Sequence, residues 1–451
     1  MRIFVLGNCP LPTENSKSRP AAGLRSYQFI SGLKKNPEIQ LKVVCIGMPE
    51  CYGGTNPDYG EVNEGGVAFN RISKDDIDLT QKIQVLHDGF KPDCIVSINT
   101  FPSYVAAQLD CETPLWADLN GWVMAEAQAQ AFKMDSNDYL PHYAIMQKLI
   151  LQRADKISTV SQAQKLAVIG ELAGLGRLSK ETFNYELVHD IPNATSWFEG
   201  EREDEGVYAI PGLPDEAFTA LWMGGYNTWA DEKTLFESVS NAMESCEKLY
   251  FVSTGGSIEG LDNETFENFR KMIETSPYKD RFIFLGWLKT IDIPKLYRRV
   301  HIGLNIDRKC IETLTGARNR INEMMKFGLP IITTAGSEIS YEVARVNAGL
   351  VLRSGDSMAI SEAIKSLYNQ WTIKPRPFSD FSKNGQKYIE EECNYEVTTR
   401  TLRNWCKNPK AAPDRGTRID FSRLGSARAA LKYLKQGGIK RFSKKLWQRI
   451  R

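Results

Sequence analysis

The sequence is short of the features that would make it a membrane-spanning, disulfide-bonded or metal-centred protein. No uninterrupted apolar run approaches the roughly 20 residues a spanning helix needs. The nine cysteines (9, 45, 51, 94, 111, 246, 310, 393 and 406) are scattered, odd in number and free of CxxC pairs. That excludes a disulfide frame or a zinc site and predicts reduced thiols in a cytosol. The four histidines, His87, His142, His189 and His301, stand singly, and no His/Cys/Asp cluster has metal-ligand spacing. Asp76-x-Asp78 lies in a charged helix start and is not read as a metal motif. There is no Walker loop, no Gly-x-Ser-x-Gly elbow and no low-complexity tract. The opening MRIFVLGNCP reads as a short strand, without the length or flanks of a signal peptide.

What is present is a soluble globular composition, 42% hydrophobic and 25% charged, over 451 residues, enough for two cores and accessory segments. The net charge of +2 conceals a division. Phe421–Arg451 holds ten Lys/Arg and no Asp/Glu, leaving the rest at about −8. In that tail Leu424, Ala427, Leu431 and Leu434 space as one helical face. After Gly437-Gly438, Ile439, Phe442, Leu446, Trp447 and Ile450 give a second. Basic residues on the other faces predict a helix lying on an anionic membrane, with contact through Lys432, Lys435, Lys440, Arg441, Lys444, Lys445 and Trp447. The regular apolar faces argue against a nucleic-acid arm; a disordered solubilising tail is the bland alternative.

Strand and helix patterns alternate throughout, which predicts a parallel α/β architecture. In the first half strands are expected at 2–6, 41–46, 94–98, 115–119, 156–160 and 185–189, and helices at 23–33, 81–90, 141–151 and 162–173. A polar stretch around 191–214 follows. The pattern then restarts with strands at 219–223, 248–253, 282–284 and 302–306, and helices at 232–243, 263–274 and 293–299. Two Rossmann-like halves, 1–195 and 215–380, joined by one linker, account for this. In open α/β sheets ligands bind beyond the carboxyl ends of the strands, so the cleft between the halves is the expected site.

The most informative segment is Thr315–Thr334, TGARNRINEMMKFGLPIITT. Gly316 permits close backbone approach, and amides at a helix start, Gly316 and Ala317, attract phosphate. Arg318 supplies a planar positive fork for a diphosphate, with Arg320 as a second cation. Glu323, one turn in, is placed to accept from ribose hydroxyls. Other glycine-rich strand ends are Leu221-Trp-Met-Gly224-Gly225, with Asp231 read as a helix cap, and Thr254-Gly255-Gly256-Ser257.

Glu323-Met-Met-Lys-Phe-Gly-Leu-Pro-Ile-Ile332 resembles the donor-site signature of GT-B glycosyltransferases of family 4 (group 1), a glutamate on a helix before an x-Gly-x-Pro-hydrophobic strand. The resemblance implies a GT-B fold whose second domain binds a nucleotide diphosphate sugar. Gly224 and Gly225 would form the phosphate-facing loop, Gly255 would approach the nucleotide unless it is a plain turn, and Glu323 would lie at the ribose. It departs from the family at Thr315, where a first glutamate is usual, with Glu312 three residues earlier; Lys233 is near but not at the family's lysine. Ala22-Gly-Leu-Arg25 resembles the first-domain helix start that faces acceptor and sugar phosphate, making Arg25 the acceptor-binding candidate, against a surface charge. Ser161 through Gln164 to Gly176-Arg177 is similar to one branch of the family.

Trp116-Ala-Asp118-Leu-Asn-Gly-Trp122, with Glu126 beyond, puts a carboxylate at the end of a core strand. Asp118 reads equally as a general base for an acceptor hydroxyl or as a structural Asp-x-Asn turn. A crossover of residues 381–415 onto the first domain is expected by analogy with GT-B folds. The implied activity is sugar transfer to a hydroxyl of a lipid-linked or polysaccharide acceptor at the cytoplasmic membrane face. The family's habit is retention of configuration and no metal or other cofactor. A non-hydrolysing nucleotide-sugar epimerase and a catalytically silent scaffold are the alternatives.

Overall fold

The computed structural model describes residues 1–417 except 15, 17–19, 36–37, 53–59, 65–66, 199, 259–261 and 374–377, and beyond them only Lys435. The basic tail and its proposed contacts therefore lie outside the described residues, Lys435 excepted.

Runs of branched and aromatic residues, most of them buried, form the strands of two sheets. The first holds β1 (Arg2–Cys9), β2 (Gln40–Gly47), β3 (Gly60–Glu64), β4 (Val67–Ser73), β5 (Cys94–Ser97), β6 (Leu115–Leu119), β7 (Lys156–Thr159) and β8 (Val188–Asp190), in the order β3-β4-β2-β1-β5-β6-β7-β8. The second holds β9 (Phe218–Trp222), β10 (Leu249–Ser253), β11 (Phe282–Phe284), β12 (Ile302–Asn305), β13 (Ile331–Thr334) and β14 (Gly349–Leu352), in the order β11-β10-β9-β12-β13-β14. Each order reverses at one place, β1/β5 and β9/β12, the switch points where open α/β sheets bind ligands. Among the described residues all strand-to-strand pairings are parallel except β3 with β4. That hairpin corrects the fully parallel expectation: Glu64 pairs with Val67, and two intervening residues can only join antiparallel strands.

Helices on both faces seal the cores. Side-chain caps open several of them. Ser161 Oγ accepts from Gln164 N to cap Gln162–Gly174, and Asp231 accepts from Thr234 N to cap Glu232–Ser245.

Between β8 and β9 the described residues form no regular element and are stapled on both sides. Arg25 donates to the Ile191 and Pro192 carbonyls and to Asn193 Oδ1, while Asn322 Nδ2 donates to Asn193 O at 2.7 Å. The helix Ser379–Glu391 stays on the second domain, because Gly385 lets it approach the Met325 side chain closely. The crossing comes later. Helices Tyr395–Thr398 and Arg400–Cys406 pack on Ala21–Lys34 of the first domain, where a Cβ on Gly32 would sit 2.1 Å from Thr399 Oγ1. Fully buried Arg177 and Asp414 lock the end of this return, at 2.7 Å.

Candidate donor and acceptor cleft

The carboxyl ends of the two sheets face each other, and direct bonds join them. Ser161 Oγ donates to Thr315 O at 2.7 Å, Gln162 N donates to Glu338 Oε2 at 2.6 Å, and Lys133 lies 3.3 Å from Glu264. Thr315, where the resembled family often has glutamate, thus serves as an interdomain contact through its backbone.

On the second-domain wall the two glycine turns stack backbone on backbone. A Cβ at Gly255 would fall 2.4 Å from Gly224 C, and both glycines have positive φ, 87° and 72°. Gly224 N donates to Thr254 Oγ1 at 3.0 Å, while the position of its own Cβ meets only open space. Arg320 closes this wall. Its Nη2 donates to Gly225 O at 3.1 Å and its guanidinium lies 4.3 Å from the Trp222 ring centroid. Its Nη1 is buried without a hydrogen-bond partner among the described residues. Desolvation pulls the Arg320 pKa down, more than Asp307 raises it. A buried donor with an unused N–H beside an open glycine turn is suited to a phosphate oxygen.

Arg318 is placed otherwise. Its Nε meets Asp307 Oδ2 at 2.6 Å, and its Nη1 and Nη2 meet the two oxygens of Glu312 at 3.0 and 2.6 Å. Burial would lower its pKa, but the Asp307 and Glu312 carboxylates outweigh that and raise it. The expected direct diphosphate contact is therefore corrected: both edges of the guanidinium are taken by carboxylates. Gly316 serves that cluster, since a Cβ there would sit 2.3 Å from Glu312 Oε1. Its N–H ends the short helix Ile311–Thr315 by donating to Glu312 O at 2.7 Å. It is not a helix-start amide; the helix Asn319–Lys326 begins after Ala317, with Arg318 as its cap residue.

Glu323 turns toward the linker. It accepts from the Thr195 hydroxyl and lies 3.2 Å from Lys326 Nζ, which also bonds Glu201 at 2.9 Å. The ribose assignment is corrected to a hinge contact, because the carboxylate follows the nearest buried cation.

On the first-domain wall Asp118 and Arg25 are both buried and bonded to each other, Nε to Oδ2 at 3.0 Å and Nη2 to Oδ1 at 2.7 Å. Ser158 Oγ also donates to Asp118 at 2.6 Å. A carboxylate so saturated has no route to an acceptor proton, and its partner has no exposed face. Both site assignments are corrected to a structural pair that ties the helix Ala21–Lys34 to β6 and the linker.

Glu126 remains in the cleft. Its side chain is exposed, with Oε1 close to Gly121, where a Cβ would sit 2.3 Å away. Its pKa is pushed up to about 8, by desolvation first and then by the Glu312 carboxylate, against the pull of Arg318.

Sequence reasoning missed Asp307 and a chain of amides at the first switch point. Asn99 Nδ2 donates to Asn8 Oδ1 and to Ala22 O, both at 3.0 Å, and Asn120 Nδ2 donates to Asn99 Oδ1 at 2.9 Å. Asn99 has φ 73° and ψ 162°, a backbone region nearly confined to glycine. An asparagine immediately after each of two core strands was the available signal.

Residues 217–370, the second domain, match the family model described as glycosyl transferases group 1. Among solved structures, sucrose-phosphate synthase from Thermosynechococcus elongatus is similar at a TM-score of 0.63 and 14% identity, covering 90% of this chain and 98% of that one. HepE of Anabaena, in complex with UDP-glucose, is similar at 0.61 and 13%, covering 90% and 99%. WaaG, a glycosyltransferase involved in lipopolysaccharide biosynthesis, is similar at 0.57 and 14%, covering 90% and 100%. No curated protein matches the sequence. The fold is therefore GT-B, two doubly wound domains about a central cleft, and its second domain carries the group 1 signature.

Proposed function

We propose that the protein is a glycosyltransferase. It takes a sugar from a nucleoside diphosphate donor held by the second domain and passes it to a hydroxyl of a lipid-linked or polysaccharide acceptor on the first. The observation that carries this is Arg320, a half-buried cation whose Nη1 has no hydrogen-bond partner among the described residues, beside the open Gly224 turn at the β9/β12 switch point. Positive charge there, in a site partly closed to water, would stabilise the diphosphate as it leaves. Arg318 acts at one remove, its carboxylate partners setting the field. Retention of configuration without a metal is the reading for the chemistry, so no strong protein base is required; Glu126, protonated near neutrality, is placed as a hydrogen-bond donor to substrate. WaaG's involvement in lipopolysaccharide biosynthesis and this chain's basic tail support action at the cytoplasmic membrane face.

One observation favours a silent scaffold as second reading: Arg318 and Glu323 both spend their charge on internal partners. The test is to incubate the protein with radiolabelled UDP-, GDP- and TDP-sugars and membranes of its own host. Label moving into the lipid or polymer fraction, with nucleoside diphosphate released, is the expected result. Conversion of one nucleotide sugar to its epimer, or no consumption of any, would overturn it.

A further inference from the structure

Of the nine cysteines seven are buried, and Cys111 and Cys310 are partly exposed. Their settings differ. The Cys310 sulfur caps the short helix Ile311–Thr315, and among the described residues its hydrogen bonds are to Thr313.

Cys111 stands in a cluster drawn from three elements. His87, buried, lies in the last turn of the helix Leu79–Phe90, where the helix dipole favours its imidazolium. Its Nδ1 meets Asp88 Oδ1 at 2.9 Å, and its Nε2 lies 3.1 Å from Thr113 Oγ1. The Cys111 thiol hydrogen-bonds the same ring. Arg153, at the end of the helix Leu140–Arg153, brings its Nη2 to 3.8 Å from Cys111 Sγ. A carboxylate only accepts, so Asp88 holds a proton on Nδ1 and leaves the Nε2 lone pair toward the Cys111–Thr113 turn. A thiol, a base and a carboxylate that orients the base are thereby joined in series.

The electrostatics agree with that order. Burial raises the Cys111 pKa, but the His87 hydrogen bond and the His87 and Arg153 charges outweigh it and bring the thiol below its ordinary value. His87 is raised, first by Cys111 and with Asp88 adding to it, against its own desolvation. The other charged groups here, Glu112, Asp155 and Arg415, pair with one another or with Arg153. The sulfur also lines a cavity of about 440 Å³ whose walls carry Glu112, Gln152, Arg153 and Arg415. That is room for a partner of amino-acid or short-peptide size, and walls of both signs with an amide suit its ammonium, carboxylate and peptide groups. The site lies where the chain enters β6, at the amino end of the first sheet and away from the cleft.

We propose that Cys111 is a modification site, a reactive thiol that exchanges with low-molecular-weight amino-acid or peptide disulfides, with His87 as its base and Asp88 positioning His87. His87 Nε2 takes the thiol proton, and the Cys111 thiolate attacks one sulfur of the disulfide. The old S–S bond breaks as the new one forms, and the departing thiolate takes the proton back from His87. The Cys111 sulfur is oxidised to a mixed disulfide, and the departing half of the reagent is reduced to a thiol. The adduct lies against Arg415, whose Nη1 donates to Glu112 O at 2.6 Å and which fastens the returning chain to Asp155.

The test treats the reduced full chain with glutathione disulfide at neutral pH and follows each cysteine by peptide mass mapping. Wild type, His87→Gln and Asp88→Asn are compared; Asp88 is exposed, so its variant keeps the fold if burial of His87 makes the other unstable. The expected result is an adduct on Cys111 forming about tenfold or more faster than on Cys310. Each variant should slow Cys111 by about tenfold or more and leave Cys310 unchanged. Equal rates at Cys111 and Cys310, or a Cys111 rate untouched in Asp88→Asn, would overturn the proposal. Rapid alkylation of Cys111 by iodoacetamide without any disulfide adduct would overturn the class of partner. Equal labelling of all nine cysteines would show reaction of the unfolded chain and overturn it as well.

Discussion

Arg318 and Arg320 stand two residues apart in opposite circumstances. Arg318 neutralises two buried carboxylates, and removing it leaves both uncompensated. Arg318→Ala is therefore expected to lower stability by about 3–5 kcal/mol in urea unfolding, the range for breaking a buried pair from one side. A shift below about 1 kcal/mol would show that the cluster is solvated. Asn99 adds a second residue-scale case. Its backbone strain, of order 1–3 kcal/mol, is held by side-chain hydrogen bonds with Asn8, Ala22, Ser26 and Asn120. Asn99→Gly loses the bonds and relieves the strain, whereas Asn99→Ala loses the bonds and keeps it. The alanine variant should therefore be the less stable by about 1 kcal/mol or more, read from urea midpoints.

At the scale of elements, the core strands were legible because runs such as IFVL and LWADL are buried on both faces and cannot be read as amphipathic helix. The helix Val123–Met134 was not, since its AEAQAQAF alternates alanine with polar residues and alanine is too small to mark a face. Helix Thr100–Ala106 was masked by Pro102 directly after a strand. Site residues were legible by type and not by partner. Nothing in spacing says that Asp307 will reach Arg318, or that Lys326 will draw Glu323 toward the linker. Long-range ion pairs are set by where the elements land. The hinge is the element where this matters most: buried Lys326 joins Glu201 of the linker to Glu323 of the donor domain. Lys326→Met should loosen the linker, seen as faster amide hydrogen exchange across residues 191–206 with little change in β1 or β9. Unchanged exchange there would mean that Asn322 and Arg25 suffice to hold it.

At the scale of the whole molecule the two switch points close on one cleft, and Glu126 reports its state. Its carboxyl, ordinarily near 4.5, is raised to about 8 in the folded protein. Between those values the folded state binds more protons than the unfolded one, so this group's contribution to stability declines as pH rises from about 4.5 to about 8. Glu126→Gln should therefore gain stability over wild type progressively across that window and show no difference below it. A pH-independent difference would place Glu126 in open water, away from Glu312.

The central claim is that the second-domain wall holds a nucleoside diphosphate through Arg320 and the glycine turns. Its most direct test is a thermal-shift panel of UDP, GDP, TDP and CMP on wild type and Arg320→Ala. Stabilisation by one nucleoside diphosphate that the variant loses, while retaining its fold, is the predicted result. Equal stabilisation of both proteins, or none of either, would contradict it.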